Sequence, residues 1–294
     1  MPIARVIADA ASMEASLEAA AHRLREAGTP IAMAELLEHE GDLLQIELPR
    51  GDAIEIRRIL ADCFAPCDVL VAEEVISAPQ LLVSDMDSTV IGQECIDELA
   101  DYAGIKPEIA AITERAMRGD LDFGTALRER VALLAGLPEA AIEQCLAEHI
   151  RPNDGAKLLL ETLRLNGCRT VLVTGGFHHF ADAVAQQLGF DRVVANRLTV
   201  AAGKLTGELT GRIADAATKA EVLQEERSSL AGNALVLALG DGANDALMLR
   251  EADYGVAYYG KPAANEIASG SIDRGDLTSV LRLLGLWQRS RVTL

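Results

Sequence analysis

The α/β character of this chain is clearest in Leu81-Leu82-Val83-Ser84-Asp85-Met86-Asp87-Ser88-Thr89, an apolar run that ends abruptly in small and acidic residues. Two similar transitions follow, after Val171-Leu172-Val173 and after Leu235-Val236-Leu237-Ala238-Leu239. Short uninterrupted apolar runs between helical stretches are typical of parallel strands buried on both faces of a sheet. We therefore predict a doubly wound α/β core with a parallel sheet, whose functional residues follow the strand ends.

Helical patterns connect the three apolar runs, over residues 155–166, 180–188 and 219–227. Between the first and second runs, residues 94–150 are rich in alanine, leucine, glutamate and arginine and carry few strand signals. This segment is too long for a single crossover helix. We predict a helical cap over about 95–150, inserted after the first strand and able to close over the strand ends.

The residues before the core predict a separate small α+β domain. Their pattern is strand, helix, two strands of a hairpin, helix and strand, over residues 3–8, 13–27, 31–38, 43–48, 53–64 and 68–75. This order matches the split βαβ arrangement, and it resembles an amino-acid-binding regulatory module of the ACT type. We expect a domain over 1–78 and a second one over 79–294.

Composition limits the classes of protein and partner. The 294 residues include 45 acidic and 27 basic ones, a formal charge of −18. A surface with this much negative charge repels nucleic-acid phosphates and anionic lipid. We therefore expect neither as a partner. The sequence contains no apolar run of the roughly 18–20 residues that span a bilayer. Its N-terminus lacks the pattern of a signal peptide, so we expect a cytoplasmic protein.

The five cysteines are Cys63, Cys67, Cys95, Cys145 and Cys168. Such an odd, scattered set predicts reduced and buried thiols rather than a disulfide framework. Cys63 and Cys67 are one helical turn apart and could share a metal, but no second close pair in the sequence completes a zinc site.

The first strand end places two carboxylates, Asp85 and Asp87, two residues apart. Such a pair can bind one hard divalent cation and one substrate, since Mg²⁺ prefers oxygen ligands. An aspartate can also attack phosphorus to give an aspartyl phosphate. The alternative is a polar loop in which Ser88 or Thr89 caps the next helix.

Two further strand ends carry matching chemistry. Thr174-Gly175-Gly176-Phe177 offers a hydroxyl and unhindered backbone N–H groups that suit a phosphate, although a tight turn would also use these residues. Gly240-Asp241-Gly242-Ala243-Asn244-Asp245 concentrates oxygen ligands suited to a metal. Lys219, upstream, could neutralise a phosphate, or it is an ordinary solvated helix lysine.

In this order the motifs resemble the haloacid-dehalogenase-like hydrolase superfamily, and within it the phosphoserine phosphatase family. The resemblance covers about 81–286 and includes two cap segments, 117–123 and 127–131. Thr174 stands where that family usually has serine, which keeps the hydroxyl group. The adjacent His178 and His179 are also unusual and could alter the pH profile.

The resemblance implies a role for each acidic residue. Asp85 would be the nucleophile, and Asp87 would act as general acid and then as general base. Mg²⁺ would be held by Asp85, the backbone carbonyl of Asp87 and Asp241, with Asp245 ordering these ligands.

The resemblance also implies substrate contacts. Glu94 would bind an ammonium group and Arg130 a carboxylate through a bidentate pair. Without the resemblance, both would be read as solvated cap residues. Four residues would contact the phosphate group: Thr174, Gly175, Lys219 and Asn244. Met117 and Phe123 would form an apolar lid.

The function implied by the resemblance is Mg²⁺-dependent hydrolysis of O-phospho-L-serine to L-serine and phosphate, the last step of serine biosynthesis. A homodimer is also expected, because modules of the N-terminal type often pair. Two alternatives stay open: another small phosphomonoester as substrate, such as homoserine phosphate, or a serine sensor whose phosphatase-like part is only a scaffold. Intact Asp85, Asp87, Lys219 and Asp241 argue against the sensor.

Overall fold

The computed structural model describes residues 1–37 and 41–287. The N-terminal part has the predicted element order and forms four antiparallel strands in the order β2-β3-β1-β4. Residues 38–40 of the predicted hairpin lie outside the described residues. The elements are β1 (Ile3–Ile7), α1 (Met13–Glu26), β2 (Met33–Leu36), β3 (Leu43–Glu47), α2 (Ala53–Phe64) and β4 (Asp68–Ala72).

The predicted parallel core is confirmed, and it contains more strands than the three apolar runs suggested. Strands β11, β10, β9, β5, β6 and β7 lie side by side in parallel, and β8 pairs antiparallel with β7 at the edge. Their bounds are β5 (Leu81–Ser84), β6 (Arg169–Phe177), β7 (Arg192–Ala201), β8 (Lys204–Thr210), β9 (Val236–Gly240), β10 (Tyr254–Tyr258) and β11 (Gly270–Ile272).

Helices cover both faces of the parallel strands, as a doubly wound fold requires. Leu160 and Phe180 pack with Leu172 on one face, and Leu223 and Met248 pack with the strand residues of the other. Burial on both faces explains why these strands are apolar throughout. The core helices are α7 (Ala156–Leu165), α8 (His178–Leu188), α9 (Ala216–Ser229), α10 (Ala246–Glu251), α11 (Pro262–Asn265) and α12 (Thr278–Leu284).

The insertion after β5 is helical, as predicted. The segments before and after the insertion lie side by side. Ile91 forms a β-bridge with Pro152, and the Asn153 side-chain amide donates to the Thr89 carbonyl at 2.7 Å. This double attachment holds the cap over the strand ends. The cap helices are α3 (Cys95–Ala103), α4 (Lys106–Met117), α5 (Phe123–Leu133) and α6 (Ala140–Glu148).

The N-terminal strands and the parallel core share one sheet of eleven strands in the described residues, because β4 pairs antiparallel with β11. The buried Asp68 carboxylate reinforces this junction by accepting hydrogen bonds from the Arg274 amide at 2.8 Å and the Ser279 hydroxyl at 2.7 Å. Asp42 and Arg282 add an ion pair of 2.7 Å. The domain boundary near residue 78 stays a prediction.

All five cysteines are free thiols, and four of them are buried. Among the described residues, no helix combines the length and apolar character needed to cross a membrane.

Candidate active site

Three carboxylates meet where two neighbouring strands end. Strands β5 and β9 pair in parallel, with Ser84 opposite Leu239, so the residues after each strand reach the same edge of the sheet. Asp85 follows β5, and Asp241 and Asp245 follow β9. All three are buried, and one carboxylate oxygen of each lies within 4.8 Å of the others.

Glycine at position 240 makes this convergence sterically feasible. A Cβ atom on Gly240 would overlap with the carboxyl carbon of Asp245, so a larger residue here would displace that side chain. Asp245 therefore folds back against the loop, where its Oδ2 accepts from the amides of Asp241 at 3.1 Å and Gly242 at 2.9 Å. The hydrogen bonds from these two backbone amides to the Asp245 side chain thus fix the acidic loop.

Lys219, from α9, is the cation of this cluster. Its Nζ lies 2.7 Å from Asp85 Oδ1 and 2.6 Å from Asp245 Oδ1, and its side chain is 1% exposed. Burial disfavours the charge on Lys219, but the two carboxylates outweigh this effect and raise its pKa above the ordinary value. The solvated-lysine alternative is therefore wrong. Lys219 offsets part of the repulsion between the two carboxylates, but burial and the charge of Asp245 still hold the pKa of Asp85 well above its ordinary value.

Asp87 has a different environment from Asp85. Burial, and then the negative charge of Glu94, raise the pKa of Asp87 to about 7, while hydrogen bonding by Cys95 partly opposes the rise. Its Oδ1 is buried and has no hydrogen-bond partner among the described residues. Near neutral pH the group can therefore either give or take a proton.

The glycine-containing segment is the end of β6 rather than a tight turn, and it lies beside Asp87. A Cβ atom on Gly176 would lie 3.2 Å from Asp87 Oδ2. Thr174 is buried, and its hydroxyl oxygen accepts from the Gly176 amide at 2.9 Å. Asn196, which we did not predict, fixes the segment, because its Nδ2 donates to the Gly175 carbonyl at 2.8 Å.

The cap brings Glu94, Arg130 and Phe123 towards these strand ends. Glu94 precedes α3, and its Oε1 accepts from the Ser88 hydroxyl at 2.8 Å. Arg130 on α5 lies within electrostatic range of Glu94, and burial lowers the pKa of its guanidinium. The Phe123 Cζ lies 3.0 Å from the position that a Cβ on Gly175 would take. The side chain of Met117 lies outside what the structure describes.

Two more residues complete the site. Asn244 folds over its own loop, with Oδ1 2.6 Å from where a Cβ on Gly242 would lie. Lys261, which we did not predict, lies after β10, and its Nζ is 2.8 Å from Asp241 Oδ2. Lys261 follows a strand as the other site residues do, but Tyr254–Tyr258 lacks the clear apolar run that marks the other three strand ends.

The carboxylate cluster fits a hard divalent cation. Its ligand atoms are all oxygens. Mg²⁺ prefers oxygen ligands, whereas softer metals prefer nitrogen or sulfur. Asp85, Asp241 and Asp245 bring three carboxyl groups together, with Lys219 and Lys261 as the ammonium groups in contact with them. The arrangement can thus bind a cation beside Asp85.

Comparison with known proteins gives a consistent result. A family model described as haloacid dehalogenase-like hydrolase matches residues 82–250. A phosphoserine phosphatase of Idiomarina loihiensis is 46% identical over 209 residues, 69% of this chain and 93% of that protein. A solved structure, a probable phosphoserine phosphatase from Vibrio cholerae in unliganded form, is 30% identical, with a TM-score of 0.72 over 100% of this chain and 89% of that one. Another, a phospho-aspartyl intermediate analogue of phosphoserine phosphatase, is 36% identical, with a TM-score of 0.64 over 70% and 99% of the two chains.

The doubly wound core and the family match over more than half of the chain make this protein a haloacid dehalogenase-like hydrolase. Within that class, the relative of Idiomarina loihiensis is matched over nearly its whole length. The chain therefore belongs to the phosphoserine phosphatase family.

Proposed function

We propose that this protein hydrolyses O-phospho-L-serine to L-serine and phosphate. The observation that carries the proposal is the pairing of a Lys219-bound Asp85 with a neighbouring Asp87 whose pKa is about 7. One carboxylate is held by a buried ammonium group that partly offsets the rise in its pKa caused by burial and by Asp245, and the other can exchange protons at neutral pH. Phosphoryl transfer through an aspartyl enzyme needs this division of roles.

In the first step, an Asp85 carboxylate oxygen attacks phosphorus and the bond from phosphorus to the serine oxygen breaks. Asp87 gives its proton to that oxygen, so L-serine leaves as the neutral alcohol and Asp85 carries the phosphoryl group. The ion pair of 2.7 Å with Lys219 holds the attacking carboxylate in place.

In the second step, water attacks the phosphorus atom of the aspartyl phosphate. Asp87, now ionised, takes a proton from that water, the bond from phosphorus to Asp85 breaks, and phosphate leaves. The unpartnered Oδ1 of Asp87 is available for both transfers. The solved phospho-aspartyl intermediate analogue in the same family supports this route.

We propose that the cation is Mg²⁺. The carboxylates of Asp85 and Asp241 and the backbone carbonyl of Asp87 would hold it, and Asp245 would order the loop. When bound, Mg²⁺ supplies positive charge that offsets the repulsion between the carboxylate nucleophile and the phosphate. Asp245 is suited to its role because its Oδ2 is already engaged by the two loop amides of its own turn.

Substrate selection would divide between core and cap. Thr174, the Gly175 amide, Lys219 and Asn244 would hold phosphate oxygens, since donors aimed at a transferring phosphoryl group stabilise its charge. Glu94 would bind the substrate ammonium group and Arg130 its carboxylate. Phe123, packed against Gly175, would exclude water together with Met117.

A substrate panel tests the function. Purified protein with Mg²⁺ should release phosphate from O-phospho-L-serine much faster than from homoserine phosphate or p-nitrophenyl phosphate, and EDTA should abolish the release. Equal rates on all three esters would contradict the assignment of phosphoserine. Undiminished release in excess EDTA would contradict the metal.

We further propose that residues 1–78 form an ACT-like amino-acid-binding domain, that 79–294 form the phosphatase domain, and that the protein is a cytoplasmic homodimer. The split βαβ arrangement of β1 to β4 supports the first point. Calorimetric titration of the full chain with L-serine, and sedimentation at several protein concentrations, test binding and dimerisation separately.

A further inference from the structure

Lys261 is fixed to the acidic loop through its backbone. Its amide donates to the Asp241 carbonyl at 2.7 Å. The preceding Gly260 carbonyl accepts from the Asn265 side-chain amide at 2.6 Å, which closes the turn that leads into α11. The start of the Lys261 side chain is therefore held beside Asp241, while its four-carbon stem can reorient.

The end of that side chain lies between a core carboxylate and a cap carboxylate. Its Nζ is 2.8 Å from Asp241 Oδ2 and 3.9 Å from Glu94 Oε1. The lysine side chain is 61% exposed, whereas Asp241 is 7% exposed. A small rotation of an exposed stem is thus enough to exchange one carboxylate for the other.

A divalent cation bound by Asp241 would compete with this ammonium group. Both are positive, and both use the same carboxylate, so they cannot share it at close range without strong repulsion. Once displaced, the ammonium group has Glu94 as the nearest carboxylate that the structure places beside it. The Ser88 hydroxyl and Lys261 both approach Glu94 through Oε1, so Oε2 stays available for a substrate ammonium group.

We propose that Lys261 is a positioning residue that exchanges partners, pairing with Asp241 when the metal site is empty and with Glu94 when a cation holds Asp241. The inference rests on the proposed metal site. Through this exchange, Glu94 strengthens metal binding, because it stabilises the displaced ammonium group. Metal occupancy in the core and charge in the cap are thereby linked.

Calorimetric titration of the full chain with Mg²⁺ alone, at fixed pH and low salt, tests the exchange without turnover. Lys261→Met should lower the Mg²⁺ dissociation constant about tenfold, because a competing charge is removed. Lys261→Arg keeps the charge and should stay close to the wild-type value. Lys204→Met removes another exposed lysine, on the edge strand β8, and should change the Mg²⁺ dissociation constant less than about twofold. An unchanged or raised dissociation constant in Lys261→Met would overturn the proposal.

A double-mutant cycle separates the exchange from a direct electrostatic effect of Glu94 on the bound cation. Glu94→Gln should weaken Mg²⁺ binding about threefold or more in the wild-type background, since the displaced ammonium group loses its partner. In the Lys261→Met background the same substitution should have less than half of that effect. An equal effect in both backgrounds would mean that Glu94 acts on the metal directly, and the proposal would fail. If the wild-type protein binds no Mg²⁺, the metal site itself is wrong, whereas binding that ignores Lys261 removes this inference alone.

Discussion

Asp245 in the core and Glu94 in the cap are both carboxylates of the candidate site, yet they are held very differently. Asp245 is fully buried and accepts from two backbone amides and from Lys219. Glu94 is 45% exposed, accepts from the Ser88 hydroxyl and lies 3.9 Å from a flexible lysine. The core holds its groups rigidly for the chemistry, while the cap presents adjustable groups that suit recognition of the substrate.

The most demanding test of this contrast is Asp85→Asn. The amide is not a nucleophile, so kcat on O-phospho-L-serine should fall by about 10⁴-fold or more. Thermal unfolding should show a folded protein, and Asp101→Asn on the exposed face of α3 is the matched control. Substantial turnover by Asp85→Asn would mean that the core does not supply the nucleophile.

Lys219→Met tests how far the core depends on its buried cation. Removing the ammonium group leaves Asp85 and Asp245 buried without their counter-charge, which should cost about 3–5 kcal/mol of the free energy of unfolding. Urea denaturation in EDTA measures the loss, and added Mg²⁺ should recover part of it. Lys157→Met on the exposed side of α7 should have little effect, and a similar stability for both variants would refute the argument.

Arg130→Ala addresses the cap alone. The lost carboxylate contact should raise KM for O-phospho-L-serine by about 10–100-fold, as expected for a charge-assisted hydrogen-bonding pair. KM for p-nitrophenyl phosphate, which has no carboxylate, should stay nearly constant. Arg128→Ala, exposed on the same helix, is the control. If both substrates respond equally to Arg130→Ala, the cap does not bind the carboxylate.

The smallest expected change is a shift of the pH profile in Glu94→Gln, beside the loss of substrate binding, and it shows how the charge of Glu94 acts on Asp87. The first step needs protonated Asp87, so kcat/KM should fall as the pH rises through the pKa of Asp87, which is about 7. Glu94 raises that pKa, so its neutralisation should move this alkaline limb to lower pH. pH profiles at saturating Mg²⁺ measure the shift, with Glu108→Gln as control. A limb that moves to higher pH would reverse the sign of the proposed interaction.

The strand ends were predictable because apolar runs mark buried strands, and parallel strands end at a common edge. That reasoning predicts that Asp85, Asp241 and Thr174 lie near the same edge of the sheet. It missed Lys261 because Tyr254–Tyr258 mixes aromatic and small residues and lacks a clear apolar run. Asn196 carried no local signal, since its partners, the backbone of Gly175 and Ala214, are brought to it only by the folded chain.

The edges of the sheet were harder to predict than its centre. Strands β7 and β8 form a half-exposed hairpin, so they lack a continuous apolar run. The turn between them, Ala202-Gly203, has positive φ at both residues, and its glycine is the part of the hairpin that the sequence indicates. Strand β11 has three residues, Gly270–Ile272, too few for any periodicity. Its pairing with β4 joins residues about two hundred positions apart in sequence and depends on tertiary packing.

The pairing of β4 with β11 also determines what the phosphatase part would expose on its own. In the whole chain, β4 occupies the outer backbone groups of β11 over Gly270–Ile272. Cutting the chain before residue 79 would leave those N–H and C=O groups without partners beside apolar neighbours, an open strand that invites pairing with another molecule. The N-terminal strands therefore cover an edge of the catalytic half that would otherwise be open.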